Sequence, residues 1–155
     1  MTKDDRPSSK PVYQKLGAKP GLVVCTIGEP IESKLGHQLL RAIGRSGRFS
    51  AFKDFKAFRR WPMEAWDLVI AWVEDRGQLY SVLSEARERI QPQGAIWTVI
   101  PTKASFPQGT VPSIAQEDIF VESPRARLVD VKQAKISDTH YALKLVIPVA
   151  SRPKA

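Results

Sequence analysis

Few residues in this chain have both the type and the spacing that chemistry requires, and those few follow segments that read as strands. The first group is Gly28-Glu29-Pro30-Ile31-Glu32-Ser33, directly after the apolar run Leu22 to Ile27. A turn that holds a nucleoside or dinucleotide normally carries a G-x-G spacing, because backbone must approach the ligand with no side chain in the way. Here only Gly28 remains of such a pattern, Pro30 removes an N–H donor, and Glu29 and Glu32 repel phosphate. This argues strongly against a dinucleotide. It argues less strongly against S-adenosylmethionine, whose sulfonium cation tolerates nearby carboxylates. The degenerate turn nonetheless leads to the expectation that no cofactor binds.

In open α/β sheets ligands sit outside the carboxyl ends of the strands. Asp54 ends the segment that begins at Phe49, Glu74 follows the apolar run Asp67 to Val73, and Lys103 follows the run Ala95 to Ile100. With Gly28 and Glu29 they outline a candidate cleft. Asp54 is the most informative of them, since an acid after the second strand of such a sheet can hold ribose hydroxyls. No G-x-S-x-G elbow, Walker loop, H-E-x-x-H pair or carboxylate cluster is present, so no catalytic residue and no metal site is assigned. His37 reads as a helix-surface residue and His140 as the start of the last strand. Ser113, with Gln116 three residues on, reads as a capping box and not as a nucleophile.

The charge is uneven. Between Lys34 and Arg60 lie eight basic residues, Lys34, Arg41, Arg45, Arg48, Lys53, Lys56, Arg59 and Arg60, against the single acid Asp54, a net of +7 in a chain of net +8. A clustered positive field attracts polyanions, so these eight form a candidate docking surface for an acidic partner, protein or nucleic acid. Phe49, Phe52, Phe55, Phe58 and Trp61 are interleaved with them at a spacing of three. On a straight helix that spacing drifts around the axis, so the rings cannot form one base-stacking strip and are assigned to core packing.

These residues need elements to position them. Leu22 to Ile27 is a continuous apolar strand, and Leu35, Leu39, Leu40 and Ile43 mark a helix capped by Ser33 and ended by glycines 44 and 47. Phe49 to Phe52 reads as a strand followed by a bend or short helix. Asp67 to Val73 is another strand, and Leu79, Val82, Leu83, Ala86 and Ile90 give the next helix, which ends in Gln91-Pro92-Gln93-Gly94. Ala95 to Ile100 is a strand, a helix opens at Ser113, and Leu128 to Ile136 with Tyr141 to Val149 forms an antiparallel hairpin. The alternation specifies an α/β, Rossmann-like three-layer α/β/α sandwich, mostly parallel and closed by the C-terminal hairpin.

The chain of 155 residues suits one domain, expected at residues 15–150 between a flexible polar tail at 1–14 and a disordered end at 151–155. No apolar run is long enough to span a bilayer, and the start has no signal-peptide core, which points to the cytoplasm and away from membranes. The lone Cys25 sits in the first apolar run and allows no internal disulfide.

Several of these segments together resemble a bacterial family known as domain of unknown function 3052, regarded as methyltransferase-like Rossmann domains. The resemblance spans Lys15 to about Val146. It rests on Lys15-Leu16-Gly17-Ala18-Lys19-Pro20-Gly21 with the Gly28-Glu29-Pro30 turn, on the Asp67 to Val73 strand, on Gly94-Ala95-Ile96-Trp97 leading to Pro101-Thr102-Lys103-Ala104-Ser105, and on the closing Leu128 to Lys132 and Leu143 to Val146. The chain departs from the family at His140, where members carry tryptophan, and at Thr102, where they carry lysine. The resemblance implies a reduced class I methyltransferase fold and no reaction. Together with the degenerate turn it gives the expectation of a non-catalytic binding or regulatory domain that docks through its basic surface. The alternatives are a divergent S-adenosylmethionine-dependent methyltransferase and a non-specific nucleic-acid-associated protein.

Overall fold

The computed structural model describes residues 10–29, 33–62 and 65–153. The elements, in chain order, are α1 (Val12–Lys15), β1 (Val23–Ile27), α2 (Lys34–Ile43), β2 (Arg48–Phe52), α3 (Phe55–Arg60), β3 (Trp66–Trp72), α4 (Arg76–Arg89), β4 (Ile90–Pro101), α5 (Gln116–Arg125), β5 (Val129–Lys135) and β6 (His140–Val146). The strands form one six-stranded sheet in the order β2-β1-β3-β4-β6-β5. β1 pairs in parallel with β2 and β3, β3 pairs in parallel with β4, and β6 runs antiparallel to both β4 and β5. This is the three-layer α/β/α sandwich with a terminal hairpin that the alternation of elements specifies.

Two apolar layers flank the sheet. Leu39 and Ile43 of α2 pack with Val24, Ile70, Trp97 and Val99 on one face. Phe58 of α3, Leu79, Val82 and Leu83 of α4 and Ile119 of α5 pack with Cys25, Val69, Ile96 and Ile100 on the other. Successive strand residues point to opposite faces, so a strand covered on both sides must be mostly apolar, as β1, β3 and the second half of β4 are apart from Thr26, Asp67 and Thr98. Each fully buried large side chain, such as Phe58 or Ile70, contributes roughly 1.5–3 kcal/mol. β5 sits at a sheet edge and is largely exposed.

Several local readings need correction. Gln91 to Gly94 do not form a helix end; they belong to β4, which begins at Ile90. A side chain at position 94 would stand 3.0 Å from the carbonyl oxygens of Trp66 and Asp67, so glycine lets β4 pass close to β3 beside a register shift. Ser113 caps no helix. α5 starts three residues later, at Gln116 with Ala115 as its N-cap, Asp118 accepts the Ala115 N–H at 2.9 Å, and the Ser113 hydroxyl donates to the Glu74 carbonyl. β6 stops at Val146, and residues 149–151 form a single 3₁₀ turn. At the other end, Val12 and Tyr13 fall within the expected tail yet pack against the core, and the Trp97 indole N–H donates to the Leu16 carbonyl at 3.0 Å. Residues 1–9 and 154–155 of the expected ragged ends lie outside the described residues. Among the described residues no helix is long and apolar enough to cross a membrane.

Candidate functional site

Strand order reverses at β1: the chain crosses from β1 to β2 on one side and then from β2 back past β1 to β3 on the other. The carboxyl ends of β1 and β3 therefore splay around a crevice. Gly28 ends β1 with φ +97°, and a side-chain carbon built there would lie 3.2 Å from Trp72 Cβ. The turn is held from below: Gly28 N–H donates to the Phe52 carbonyl at 2.8 Å, and the Thr26 hydroxyl donates to the Glu29 carbonyl at 2.9 Å. Thr26 is fully buried, so that bond anchors the turn from inside the sheet.

Two cavities open at this edge. The smaller, about 330 Å³, is lined by Gly28, Lys53, Asp54, Val73, Glu74 and Gln78 among others. Asp54 is held by its own helix: it is the N-cap of α3, and one carboxylate oxygen accepts the Ala57 N–H at 2.9 Å. The larger, about 710 Å³, lies on the α1 and α2 side of the sheet, with Glu29, Ser33, Lys34, Leu35 and His140 in its walls. Trp72 lines both. Ser33 caps α2 as its sequence position suggests, accepting the Gly36 N–H at 2.9 Å.

Gly28, Asp54 and Glu74 of the sequence-derived cleft thus meet in one cavity, with Glu29 at its neighbour. Lys103 does not join them, and that assignment is corrected. It lies in a 3₁₀ turn after β4, where its ammonium binds Glu117 at 2.9 Å on the exposed surface. The hydrogen bond to Glu117 raises the Lys103 pKa, and the same bond lowers that of Glu117.

The eight basic residues are all exposed, but they do not form one plane. Lys34, Arg41 and Arg45 belong to α2 and its C-terminal turn, Lys56, Arg59 and Arg60 to α3 on the opposite face, and Arg48 and Lys53 bracket the edge strand β2. Arg59 faces Glu85 at 3.6 Å, while Lys34 and Lys53 line the two cavities. Phe52 and Phe58 are buried as expected, Phe52 meeting Phe58, Trp61 and Trp66 edge to face at 5.5, 5.4 and 6.0 Å, while Trp61 stays exposed.

Two participants escaped the sequence reading. Trp72 is only the penultimate residue of an apolar run until its position between two cavities is seen. His140 is a strand-start histidine until β6 sets it beside Ile136 and Ser137 in the wall of the larger cavity. Among the described residues no group of histidine, cysteine and acidic side chains could hold a metal ion.

No family model matches the sequence, and no curated protein matches it either. Solved structures do. An S-adenosylmethionine-dependent methyltransferase from Aquifex aeolicus is similar over 88% of this chain and 87% of its own, with TM-score 0.68 and 12% identity. Fibrillarin from Aeropyrum pernix, solved with natively bound S-adenosyl-L-methionine, matches 83% of this chain and 68% of its own, with TM-score 0.60 and 16% identity. A Burkholderia thailandensis N1-methyltransferase solved with S-adenosylhomocysteine covers 86% of this chain and 75% of its own, with TM-score 0.63 and 11% identity. At such identities the likeness establishes the fold. Against the expectation of a non-catalytic docking domain without a cofactor stands the finding that two of these structures are methyltransferases and that two were solved with the cofactor or its product. The chain has the Rossmann-like fold of S-adenosylmethionine-dependent methyltransferases.

Proposed function

We propose that the protein is a divergent methyltransferase that binds S-adenosylmethionine at the ends of β1, β2 and β3. The observation that carries this reading is the meeting of Gly28, Asp54 and Glu74 around one cavity at the point where the strand order reverses. The residues fit the group. Gly28, at positive φ and against Trp72, leaves backbone bare where a ligand must approach closely. Asp54 spends one carboxylate oxygen on its helix cap, and its carboxylate faces the cavity as an acceptor for ribose hydroxyls.

Charge selects among nucleoside ligands. Glu29, Asp54 and Glu74 stand at the two cavities with Lys53 and Lys34. A phosphate ester in the smaller cavity would meet the two carboxylates of Asp54 and Glu74 against the single lysine Lys53, whereas a sulfonium and an α-ammonium group find counter-charges in them. When bound, the cofactor supplies an electrophilic methyl group. The protein's part is to orient it with the Gly28 turn, shield it from water with Trp72 and Val73, and offset its charge with Asp54 and Glu74. A cytoplasmic location belongs to this reading, supported by the absence of a membrane-spanning helix among the described residues.

Isothermal titration of the full chain with S-adenosylmethionine tests the proposal. Saturable binding that Asp54→Ala weakens is the expected result. The absence of heat at millimolar cofactor, with no rise in the melting temperature, would refute it, since a ligand specific to the native state must stabilise it.

A further inference from the structure

The larger cavity has a wall that cofactor binding does not use. Its 710 Å³ is the size of a small-molecule site. Trp72 and His140 stand on the same face of the sheet, at the same edge, on β3 and β6, with β4 alone between them: Trp72 pairs with Val99, and His140 pairs with Pro101. Two strand spacings across the sheet and two residues along β4 separate them by about 12 Å, enough for one planar ring. Leu35 of α2 and Ile136 close the space with apolar surface.

His140 is half-buried, and its Nδ1 lies 2.9 Å from the Thr139 hydroxyl, which is in turn 3.2 Å from the Ser137 hydroxyl. Its backbone N–H donates to the same Ser137 oxygen at 3.2 Å, which fixes the residue's place in the turn. An Nδ1–H donating to Thr139 leaves Nε2 as a bare acceptor, and no hydrogen-bond partner for Nε2 occurs among the described residues. The other titratable groups lining the cavity are Lys10, Glu29 and Lys34.

We propose that this cavity binds a small neutral aromatic hydroxyl compound as methyl acceptor, its ring beside Trp72, and that His140 is the catalytic base that takes the hydroxyl proton. This rests on the methyltransferase reading. As the acceptor oxygen forms its bond to the methyl carbon, the carbon–sulfur bond breaks with its electron pair going to sulfur. The O–H proton passes to His140 Nε2 and thence to solvent. Imidazole suits the task because, with one ring nitrogen held by Thr139, the other can accept a proton within hydrogen-bond reach of a bound hydroxyl. An aromatic hydroxyl suits the site because its flat apolar body matches the Trp72 wall and its acidic proton matches an Nε2 acceptor on His140.

The test uses 4-nitrophenol, which absorbs at different wavelengths as phenol and as phenolate, titrated into the full chain near neutral pH with and without saturating S-adenosylhomocysteine. Binding should raise the phenolate fraction above that of free probe at the same pH. His140→Gln should keep the affinity within about threefold and abolish the spectral shift, Lys34→Gln should retain the shift, and Trp72→Leu should weaken binding by about tenfold, the scale of a lost aromatic contact. No binding at millimolar probe, an unshifted spectrum on binding, or a shift that survives His140→Gln would each overturn the proposal. Cofactor titration of wild type and His140→Gln separates the two readings. If the cofactor fails to bind while the nitrophenol shift persists, the methyltransferase reading falls and the cavity assignment stands; if the cofactor binds equally to both proteins and the shift is absent, the reverse holds.

Discussion

Gly28 and Trp72 touch across the crevice between β1 and β3: a side-chain carbon on Gly28 would stand 3.2 Å from Trp72 Cβ, at a backbone φ of +97°. The contact joins the turn that lines the smaller cavity to a tryptophan that lines both cavities. Gly28→Ala should therefore cost about 1–2 kcal/mol, the usual penalty for a left-handed L-residue, and should also displace Trp72. A melting scan reads the first effect and cofactor titration the second, with weaker binding expected. Unchanged affinity would mean that the turn does not face the ligand.

Asp54 does two things that substitutions can separate. Asp54→Ala removes both the α3 cap, costing about 1 kcal/mol, and the carboxylate at the cavity. Asp54→Ser keeps a capping oxygen and loses only the charge. The serine variant should melt near wild type but bind S-adenosylmethionine at least about tenfold more weakly, the scale of a charge-assisted hydrogen bond.

Arg89 is the clearest case of a buried charge that shapes the site from behind. It is 7% exposed, donates to the carbonyls of Trp61 and Arg59 at 2.7 and 2.8 Å and to Glu85 at 3.1 Å, and lies over the Phe58 ring at 5.2 Å. It ties the end of α4 to α3, the helix that Asp54 caps. Arg89→Met should destabilise by about 3 kcal/mol, because two carbonyls and Glu85 lose their donor. Denaturant unfolding measures it, and a loss below about 0.5 kcal/mol would show that water replaces the guanidinium.

Lys103 and Glu117 form a pair whose role is electrostatic and remote from the cavities. The lowered Glu117 pKa means that its share of stability is present above the ordinary carboxylate range and is lost as pH falls through the folded-state value. The raised Lys103 pKa means that its share is present below the ordinary lysine value and is lost as pH rises through the folded-state value. Lys103→Met should flatten the stability profile slightly at both ends, since the pair is exposed. Cofactor affinity should not change, and a drop would return Lys103 to the site.

Much of this was legible in the sequence, and the misses have common causes. The strand and helix alternation, the Ser33 cap and the place of Asp54 after the second strand follow from periodicity and from capping chemistry, both local properties. Gln91 to Gly94 read as a stop because glycine and proline mark turns, yet there the glycine serves a close strand approach visible only once β3 lies alongside. Ser113 matched a cap by spacing, and its hydroxyl instead reached the Glu74 carbonyl, 39 residues back. His140 and Trp72 acquire their shared role only through β-pairing between segments some seventy positions apart. The weakened glycine turn argued against a cofactor, because a motif records one common way to keep a ligand site open, while the site itself requires space, an acceptor at the end of β2 and compatible charge.

The Trp97 indole bond to the Leu16 carbonyl closes a separation of 81 residues. Bringing such distant segments together costs chain entropy that nearby contacts do not. The Leu16 carbonyl can take this bond only after β4 has been made, so on a growing chain this segment settles later than its place in the sequence suggests. The segment includes Pro11 and Val12, which wall the larger cavity. The cofactor cavity draws on residues 27 to 82 and can take shape earlier in synthesis, whereas the acceptor cavity waits for the hairpin at residues 136–140 to meet the returning amino-terminal segment. The two halves of the site are thereby ordered in time, with the side assigned to the cofactor completed first.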